Sequence, residues 1–323
     1  MPYTIWSNTK FSPEATRLLH EGLKAHRLVA GASASTSVLA QGEPDPALAT
    51  ADIAFGQPDP SDCLRHANVR WVEVSTAGYT RYDTPEFKDA FRARGSVLTT
   101  ASGVFSDPCA QHVLAMMLAM GRQLLPSHRD QVTDHSWHYE KRRYDSRLLT
   151  GQTVVMLGYG AIGRRLTELL APFGMKIYAV RRQTRSETGV EVVPESELTR
   201  VLPLADHVVN ILPANDATTR YVNARRLACC RPTARFYNVG RGSTVDQIAL
   251  AEALRAGVIG AAFLDVTDPE PLPPAHELWT TPNCYITPHT AGGRHDQDET
   301  IVRHFLKNLE AFERRGALVD QVV

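Results

Sequence analysis

The chain has 323 residues, with 35 Lys or Arg against 35 Asp or Glu, so its formal net charge is zero. This balance argues against a protein that bulk charge holds to nucleic acid or to a membrane surface. The length predicts two domains at roughly 100–200 residues each, and a chain of this size can bury a large core without metals or disulfides.

The N-terminal end lacks the basic-then-apolar pattern of a signal peptide, and no apolar run approaches the roughly 20 residues that span a bilayer. We therefore expect a cytoplasmic protein. The cysteines are odd in number and show no C-x-x-C spacing, so we expect reduced thiols; they are Cys63, Cys109, Cys229, Cys230 and Cys284. His135 and His138 have no third ligand at a matching spacing, so no metal site is predicted.

Short apolar runs alternate with helix-like stretches over the first hundred residues. Tyr3–Trp6 is typical of a strand, and Ser12 before Pro13 predicts the start of a helix. Further strands are predicted at Ile53–Phe55, Val72–Val74 and Val97–Leu98. This alternation of strand and helix indicates an open parallel sheet.

The middle of the chain changes character. Ala110–Met120 is apolar nearly all round, which predicts a helix buried on most of its surface. Pro126–Arg147 is rich in His, Arg, Tyr and Asp and shows no clear period. We expect it to cross the surface or to contact a partner subunit.

A second series of strands follows, and the chain then ends with a helix. The strands are near-continuously apolar, as in parallel sheets covered on both faces; they are predicted at Thr153–Leu157, Lys176–Val180, Val208–Leu212, Arg235–Val239 and Ala261–Leu264. The last helix is predicted at Glu299–Arg315, where apolar residues share one face before Gly316.

A glycine-rich turn stands between the first of these strands and a helical stretch that ends near Leu170. It fits G-x-G-x-x-G and consists of Gly158, Tyr159, Gly160, Ala161, Ile162 and Gly163. In that context the glycines permit a tight turn, a close approach to a pyrophosphate, and a helix N-terminus that faces the anion. The alternative is a turn that only connects two elements.

The tip of the next strand indicates which dinucleotide is bound. An acidic residue there bonds a ribose 2′-hydroxyl, whereas arginine accommodates a 2′-phosphate. The tip reads Arg181-Arg182-Gln183-Thr184-Arg185, so Arg181 stands where a carboxylate is otherwise expected. Because a guanidinium suits phosphate geometry, we expect NADP to be preferred and NAD to be possible. The alternative is a solvated cationic strand end.

Four blocks along the chain resemble the D-isomer-specific 2-hydroxyacid dehydrogenases, in the order and spacing of that family. They are Leu157–Gly163, Asn238–Ser243, Leu264–Pro273 and Thr287–His289. The resemblance implies an α/β fold of two lobes, with a Rossmann-type dinucleotide domain inserted into a smaller flavodoxin-like substrate domain. We place the dinucleotide domain at residues 105–288 and the substrate domain at residues 1–104 and 289–323, with the active site in the cleft between them.

The family's catalytic Arg, Glu and His correspond by motif to Arg241, Glu270 and His289. Reduction of a 2-oxo acid needs a hydride on the carbonyl carbon, a proton on its oxygen and a cation for the carboxylate. His289 can supply the proton, Glu270 can fix its tautomer and favour its charged form, and Arg241 can hold the carboxylate. Each residue alone is better explained as an ordinary loop residue. An accident is a poor explanation for all three together, because three separate loops present the needed groups at strand ends, where open α/β sheets bind ligands.

The resemblance also implies further contacts. Besides the glycine turn and the two arginines, the predicted cofactor-binding residues are Leu212, Pro213, Val239, Gly240, Asp265 and Gly292. Predicted substrate-binding residues, in addition to Arg241 and His289, are Thr76, Ala77, Gly78, Tyr79, Ser102 and Trp279. The sequence departs from the family at Gln111, where glutamate is common, and at Thr80, where aspartate is common. These departures leave the catalytic set untouched but bear on substrate shape.

The resemblance and the strand-tip arginines therefore imply an NAD(P)-dependent 2-oxo acid reductase with glyoxylate or hydroxypyruvate as the leading substrates, and the resemblance also implies a homodimer. Formate dehydrogenases resemble this family but carry glutamine where Glu270 stands. A nucleotide-sensing corepressor-like protein of the same fold remains the alternative, because such proteins share the Arg, Glu and His set.

Overall fold

The computed structural model describes residues 2–35, 43–182 and 186–323. The chain forms two compact units, of which the first is Met1–Phe105 with Gly293–Val323 and the second is Ser106–Gly292. The sequence places these boundaries at 104/105 and 288/289, whereas the structure places them at 105/106 and 292/293. Positions 183–185, part of the strand tip quoted above, lie outside the described residues.

The strands are, in chain order, β1 (Thr4–Thr9), β2 (Arg27–Ser35), β3 (Ile53–Gly56), β4 (Trp71–Val74), β5 (Val97–Thr100), β6 (Thr153–Leu157), β7 (Lys176–Val180), β8 (Glu191–Val193), β9 (His207–Asn210), β10 (Arg235–Asn238), β11 (Ala261–Leu264) and β12 (Cys284–Ile286). The helices are α1 (Pro13–Leu23), α2 (Pro60–Arg65), α3 (Pro85–Arg94), α4 (Ser102–Gly121), α5 (Leu124–Thr133), α6 (Tyr139–Asp145), α7 (Ala161–Leu170), α8 (Leu198–Val201), α9 (Ala224–Leu227), α10 (Gln247–Arg255) and α11 (Gln297–Glu313).

The first unit is a parallel sheet in the order β2-β1-β3-β4-β5. This is the flavodoxin-like order, as the resemblance implies. Alternate residues of the strands point to opposite faces, so the sheet has a core on each side. On one face Phe305 of α11 stacks on Phe55 with ring centroids 4.0 Å apart, and on the other Phe87 and Phe91 of α3 join the buried residues around Val72.

Ser12 begins α1 as predicted. Its Oγ accepts a hydrogen bond from the N–H of Ala15 at 3.1 Å, and Pro13 occupies the first helical position. The cap satisfies one of the free N–H groups at the helix N-terminus.

A buried carboxylate joins separate segments of the first unit. Glu73 of β4 is fully buried and lies 3.0 Å from Nδ1 of His304 on α11, while Nε2 of His304 lies 3.2 Å from Asp320. Asn308 also donates to Glu73, at 2.9 Å. Asp320 in turn accepts from the N–H of Gly103 at 2.6 Å. Burial lowers the pKa of His304, but hydrogen bonds to Asp320 and Glu73 outweigh burial and raise that pKa to about 9.

Residues 320–323 run antiparallel to β5. The N–H of Thr100 donates to the carbonyl of Asp320 at 3.1 Å, and the N–H of Val322 donates to that of Leu98 at 2.8 Å. Residues 320–323 therefore pair with β5, one of the two edge strands of this sheet.

The second unit is a seven-stranded parallel sheet in the order β12-β11-β10-β9-β6-β7-β8. Counted within the unit, its first six strands have the Rossmann order 3-2-1-4-5-6, and β12 adds a seventh. The order reverses between β6 and β9, and such a switch point is where open α/β sheets bind ligands. The predicted Rossmann-type fold is confirmed.

Some predicted elements need correction. β9 ends at Asn210 and β10 at Asn238, short of the predicted Leu212 and Val239, because the chain turns there into loops that contact each other. The Pro126–Arg147 stretch, which shows no clear period, holds most of α5 and all of α6, and neither helix has a buried residue, so no apolar period marked them. Within the described ranges, no helix is long and apolar enough to cross a membrane. All five cysteines are free thiols.

Candidate active site

The glycine turn follows β6 and leads into α7. Gly158 has a φ of +87°, a conformation that favours glycine, and a Cβ there would lie 3.4 Å from the carbonyl oxygen of Ile211. Gly160 begins α7 without a side-chain cap, and a Cβ there would meet nothing within 4 Å. Open space thus borders the free N–H groups of the helix, as an anion site requires.

The third glycine packs against the ring of Tyr159, which belongs to the same turn. A Cβ on Gly163 would lie 2.9 Å from Cδ2 of Tyr159, so glycine is needed for packing against that ring. Tyr159 itself is buried. The Tyr159 ring therefore leaves no room for a side chain at Gly163 in the first turn of α7.

The strand-tip arginines differ in environment. Nη1 of Arg181 lies 3.1 Å from Oε1 of Glu187, and the Arg181 side chain is 21% exposed. The same carboxylate oxygen lies 3.1 Å from Nη2 of Arg164 on α7. Arg182 is exposed. The sequence motifs gave no sign of Arg164 and Glu187, which join the tip of β7 to the start of α7.

Two glycines fix the position of Arg241 at the end of β10. A Cβ on Gly240 would lie 2.6 Å from the carbonyl oxygen of Leu212, and a Cβ on Gly242 would lie 1.9 Å from that of Thr267. Both contacts are with backbone, so side chains at these positions would displace the loops. The glycines on either side of the arginine therefore reflect close backbone approach.

Two buried asparagine side chains form hydrogen bonds that hold the Arg241 loop. Nδ2 of Asn210 donates to Oδ1 of Asn238 at 2.9 Å and to the hydroxyl of Thr244 at 2.7 Å. Asn238 in turn donates to the carbonyl of Arg241 at 3.2 Å and accepts from the N–H of Gly240 at 3.1 Å. These bonds fix the backbone from which the guanidinium projects.

The guanidinium of Arg241 is largely desolvated. Burial lowers its pKa from the ordinary value, while the Glu270 carboxylate and Cys109 act in the opposite direction. Its Nη1 donates to the carbonyl of Gly240 at 2.7 Å. A partly buried guanidinium, with five N–H donors in a planar fork, is suited to binding an anionic ligand.

Glu270 and His289 form a close pair. Oε2 of Glu270 lies 2.7 Å from Nδ1 of His289, and Oε1 accepts from the N–H of Thr267 at 3.0 Å. Burial raises the pKa of Glu270, but the bonds from His289 and Thr267 and the charge of Arg241 outweigh it, so the pKa lies below the ordinary value. With Nδ1 engaged, the described residues give Nε2 of His289 no hydrogen-bond partner, which leaves that nitrogen for proton exchange.

Asp265 holds the turn that carries His289. Its Oδ1 accepts from the hydroxyl of Thr287 at 2.6 Å and from the N–H of Thr290 at 2.8 Å, and its Oδ2 accepts from the N–H of Ala291 at 2.9 Å. His289 has a φ of +54°, so the turn keeps it in the left-handed region. Both carboxylate oxygens are thus committed to the turn, and the assignment of Asp265 to the cofactor stays a prediction.

His112 of α4 also contacts this turn, although no motif pointed to it. Its Nε2 lies 3.3 Å from the hydroxyl of Thr287 and 3.9 Å from Oδ1 of Asp265. Burial lowers the pKa of His112, against the opposing charge of Asp265. The imidazole therefore supports the loop as a neutral group.

The other predicted site residues lie at the ends of elements. In the first unit, Thr76–Tyr79 follow β4, where the Thr76 hydroxyl donates to the carbonyl of Gly78 at 2.7 Å. Ser102 follows β5, and its hydroxyl bonds that of Thr100. In the second unit Trp279 is 49% exposed, and its Nε1 donates to the carbonyl of Pro273 at 3.0 Å.

The departures from the family have local explanations. Gln111 of α4 donates to the carboxylate of Asp107 at 2.8 Å, and Asp107 also accepts from Arg165 at 2.6 Å. Thr80 begins a short turn after Tyr79. His135 and His138 are both exposed, and no group of three or more potential metal ligands lies among the residues that the structure describes.

Known proteins resemble this chain in sequence and in structure. Residues 114–291 match the family model for the D-isomer specific 2-hydroxyacid dehydrogenase, NAD binding domain. The chain is 32% identical over 241 residues to a glyoxylate reductase of Korarchaeum cryptofilum, and the match covers 72% of this chain and 70% of that protein. It is also 32% identical over 248 residues to the glyoxylate reductase/hydroxypyruvate reductase of Homo sapiens, covering 76% and 74%.

A solved structure extends the likeness over the full length. The NADPH-dependent glyoxylate/hydroxypyruvate reductase of Sinorhizobium meliloti, in complex with NADP and malonate, superposes with a TM-score of 0.72 at 25% identity. The match covers 100% of this chain and 97% of that one.

The Rossmann-type sheet and its glycine turn define a dinucleotide-binding α/β protein. The chain belongs to the D-isomer-specific 2-hydroxyacid dehydrogenase family, and it is accordingly an NAD(P)-dependent oxidoreductase. The resemblance found in its sequence motifs is confirmed.

Proposed function

We propose that the protein reduces a small 2-oxo acid to the 2-hydroxy acid with NADPH, and that glyoxylate and hydroxypyruvate are its leading substrates. The observation that carries this proposal is the 2.7 Å contact of Glu270 with His289 in the same unit as the partly buried Arg241. The relatives described as glyoxylate and hydroxypyruvate reductases support the substrate class.

The three side chains have separate tasks in this reaction. When bound, NADPH supplies the hydride for the keto carbon. His289 donates a proton from Nε2 to the keto oxygen, and Glu270 holds the Nδ1 proton and stabilises the imidazolium. Arg241 binds the carboxylate and polarises the carbonyl.

The cofactor assignment follows from the chain's own residues. The open space at Gly160 and the N-terminus of α7 suit a pyrophosphate, and Arg181 stands where a 2′-phosphate is recognised. The Sinorhizobium meliloti relative is described as NADPH-dependent and holds NADP. We assign the same cofactor here, with NADH as a second donor, and extend the contacts to Ala161, Ile162, Leu212, Pro213, Val239, Gly240 and Gly292.

A panel of 2-oxo acids with NADPH and NADH tests the function, and nicotinamide absorbance measures turnover. We expect reduction of glyoxylate or hydroxypyruvate with NADPH. His289→Ala should lower kcat by about 10²–10⁴-fold, the usual value of general acid catalysis. His295→Ala, at a side chain 97% exposed, is the matched control. Tight nucleotide binding without turnover of any acid would instead favour the corepressor-like alternative.

The protein is further proposed to be a cytosolic homodimer whose second unit binds the dinucleotide and whose first unit binds substrate. Large apolar side chains of the 124–148 stretch are exposed, and unpaired apolar surface of this kind indicates an interface; they are Leu124, Val132, Trp137, Tyr139, Tyr144 and Leu148. Light scattering tests the state: a mass of one chain would refute it. The contributions of Thr76–Tyr79, Ser102 and Trp279 to substrate binding rest on the resemblance.

A further inference from the structure

Three charged side chains converge beside the glycine turn. The guanidinium groups of Arg164 and Arg181 each lie 3.1 Å from Oε1 of Glu187. One carboxylate oxygen therefore bridges two cations that belong to different elements, since Arg164 lies in α7 and Arg181 follows β7.

The two guanidinium groups that bind the Glu187 carboxylate have the geometry to bind another anion in its place. Arg181 and Glu187 are each only 21% exposed, whereas Arg164 is half exposed. The hydrogen bond from Arg164 is the main cause that lowers the pKa of Glu187, so the carboxylate is ionised at neutral pH. Two converging guanidinium groups suit phosphate as well as carboxylate, because both anions accept their paired N–H donors.

The ion pairs of Glu187 lie at the strand tip where Rossmann-type proteins recognise the ribose of the cofactor. In Rossmann-type sheets, the residue at the tip of the second strand distinguishes a ribose 2′-hydroxyl from a 2′-phosphate. Here β7 is that second strand, and Arg181 is the residue at its tip. Glu187 thus binds the same guanidinium that the proposed cofactor needs.

We propose that the Glu187 carboxylate occupies the anion position that the 2′-phosphate of NADPH takes, and that it sets the preference between NADPH and NADH by competition. This inference rests on the proposed function. A phosphate monoester carries roughly −1.5 to −2 charges and three acceptor oxygens, so it displaces a single carboxylate from the arginines.

NADH has no 2′-phosphate to compete with the Glu187 carboxylate. Its ribose 2′-hydroxyl cannot displace a carboxylate from two guanidinium groups, because a neutral acceptor binds them more weakly. The pair of Glu187 with Arg181 therefore persists when NADH binds. An enzyme built in this way accepts both cofactors, with an NADPH preference smaller than the arginines alone would give.

The experiment measures binding of four probes by calorimetry without substrate: NADPH, NADH, 2′,5′-ADP and 5′-AMP. Glu187→Gln and Glu187→Ala should each tighten binding of NADPH and 2′,5′-ADP about three- to tenfold, the range of losing one or two partly exposed ion pairs. NADH and 5′-AMP should change by less than about twofold. Glu191→Gln is the matched control, because Glu191 pairs with Lys176 and Arg200 near the same sheet edge.

The opposite results overturn the inference. Weaker binding of NADPH by the Glu187 variants would show that the carboxylate only braces Arg181, and unchanged binding would show no competition. An equal gain for NADPH and NADH, or the same gain in Glu191→Gln, would show a general charge effect.

Arg181→Ala separates this inference from the proposed function. If that variant binds NADPH as tightly as the unmodified protein, the 2′-phosphate site and the competition both fail. If it loses NADPH affinity while the Glu187 variants gain none, only the competition fails.

Discussion

The contact between Glu270 and His289 links a hydrogen bond to the direction of the reaction. In the proposed reaction, reduction consumes a proton from His289, and oxidation returns one to it. Glu270, whose pKa lies below the ordinary value, is ionised in the neutral range and so places a negative charge 2.7 Å from the imidazole.

Replacement of this carboxylate should shift both pH profiles. Glu270→Gln keeps a hydrogen-bonding side chain but removes its charge, so the alkaline limb of the reductive rate should move to lower pH. Reduction at neutral pH should then suffer more than oxidation. Steady-state rates in both directions across pH measure the effect.

Glu252→Gln is the matched control for that variant, because Glu252 is an exposed carboxylate on α10. Its profiles should coincide with those of the unmodified protein. If the Glu270→Gln profiles stay in place as well, Glu270 does not adjust the histidine, and its assignment as the partner of His289 is wrong.

Sequence motifs located the catalytic candidates but not the residues that support them. Arg241, Glu270 and His289 stand in short motifs whose spacing is local. His112 contacts Thr287 across 175 positions of the chain, and Glu187 reaches back 23 positions to Arg164. A single histidine on an apolar helix or a glutamate in a polar loop has no local pattern, so only the fold reveals its partner.

At the scale of elements, the loop after β10 depends on close backbone approach. The Gly242 contact with Thr267 joins the loop of Arg241 to the segment that leads to Glu270. One close approach therefore fixes the relative position of a cation and a carboxylate from two separate loops.

Gly242→Ala should separate these loops. Its Cβ would lie 1.9 Å from a backbone oxygen, so one loop must move. A displacement of about 1 Å at a reacting group costs roughly 100-fold in rate, and we expect kcat/KM to fall by about that factor. Gly316→Ala is the control, because its Cβ would have an ordinary contact of 3.5 Å. Equal activity of both variants would contradict a positioning role for Gly242.

The strands that the sequence predicted are the inner strands of both sheets and the edge strand β5. The bounds of β6, β7 and β11 agree with the prediction because their near-continuous apolar residues are buried on both faces. β8 and β12 lie at the edges of the same sheet and are largely unburied, so their sequences carry no comparable pattern. β2, at an edge of the other sheet, is rich in small residues and was missed for a similar reason.

At the scale of the whole molecule, the Glu73, His304 and Asp320 network makes stability depend on pH. The pKa of His304 rises from its ordinary 6.5 to about 9 in the folded protein, because the bonds to Asp320 and Glu73 outweigh burial. A raised pKa means that the folded state holds the proton more tightly. The contribution is therefore complete below about pH 6.5 and disappears as the pH rises through 9.

The free energy of unfolding should accordingly fall by about 3 kcal/mol between pH 6.5 and pH 9, at 1.36 kcal/mol per pKa unit. Denaturant titrations at several pH values measure this loss. His304→Gln should be less stable at pH 6.5 and nearly independent of pH above it, whereas His295→Gln should follow the unmodified protein. A His304→Gln variant with the original slope would assign the dependence to other groups.

The pairing of residues 320–323 with β5 has a consequence for solubility. A parallel sheet leaves the amides and carbonyls of its outermost strand available to any extended chain, and such edges template aggregation. Leu98 and Thr100 direct their hydrogen bonds to Val322, Val323 and Asp320 instead. Loss of residues 320–323 would expose the unpaired backbone of β5 and remove the hydrogen bond between Gly103 and Asp320. The shortened chain should therefore precipitate more readily, while its second unit stays folded.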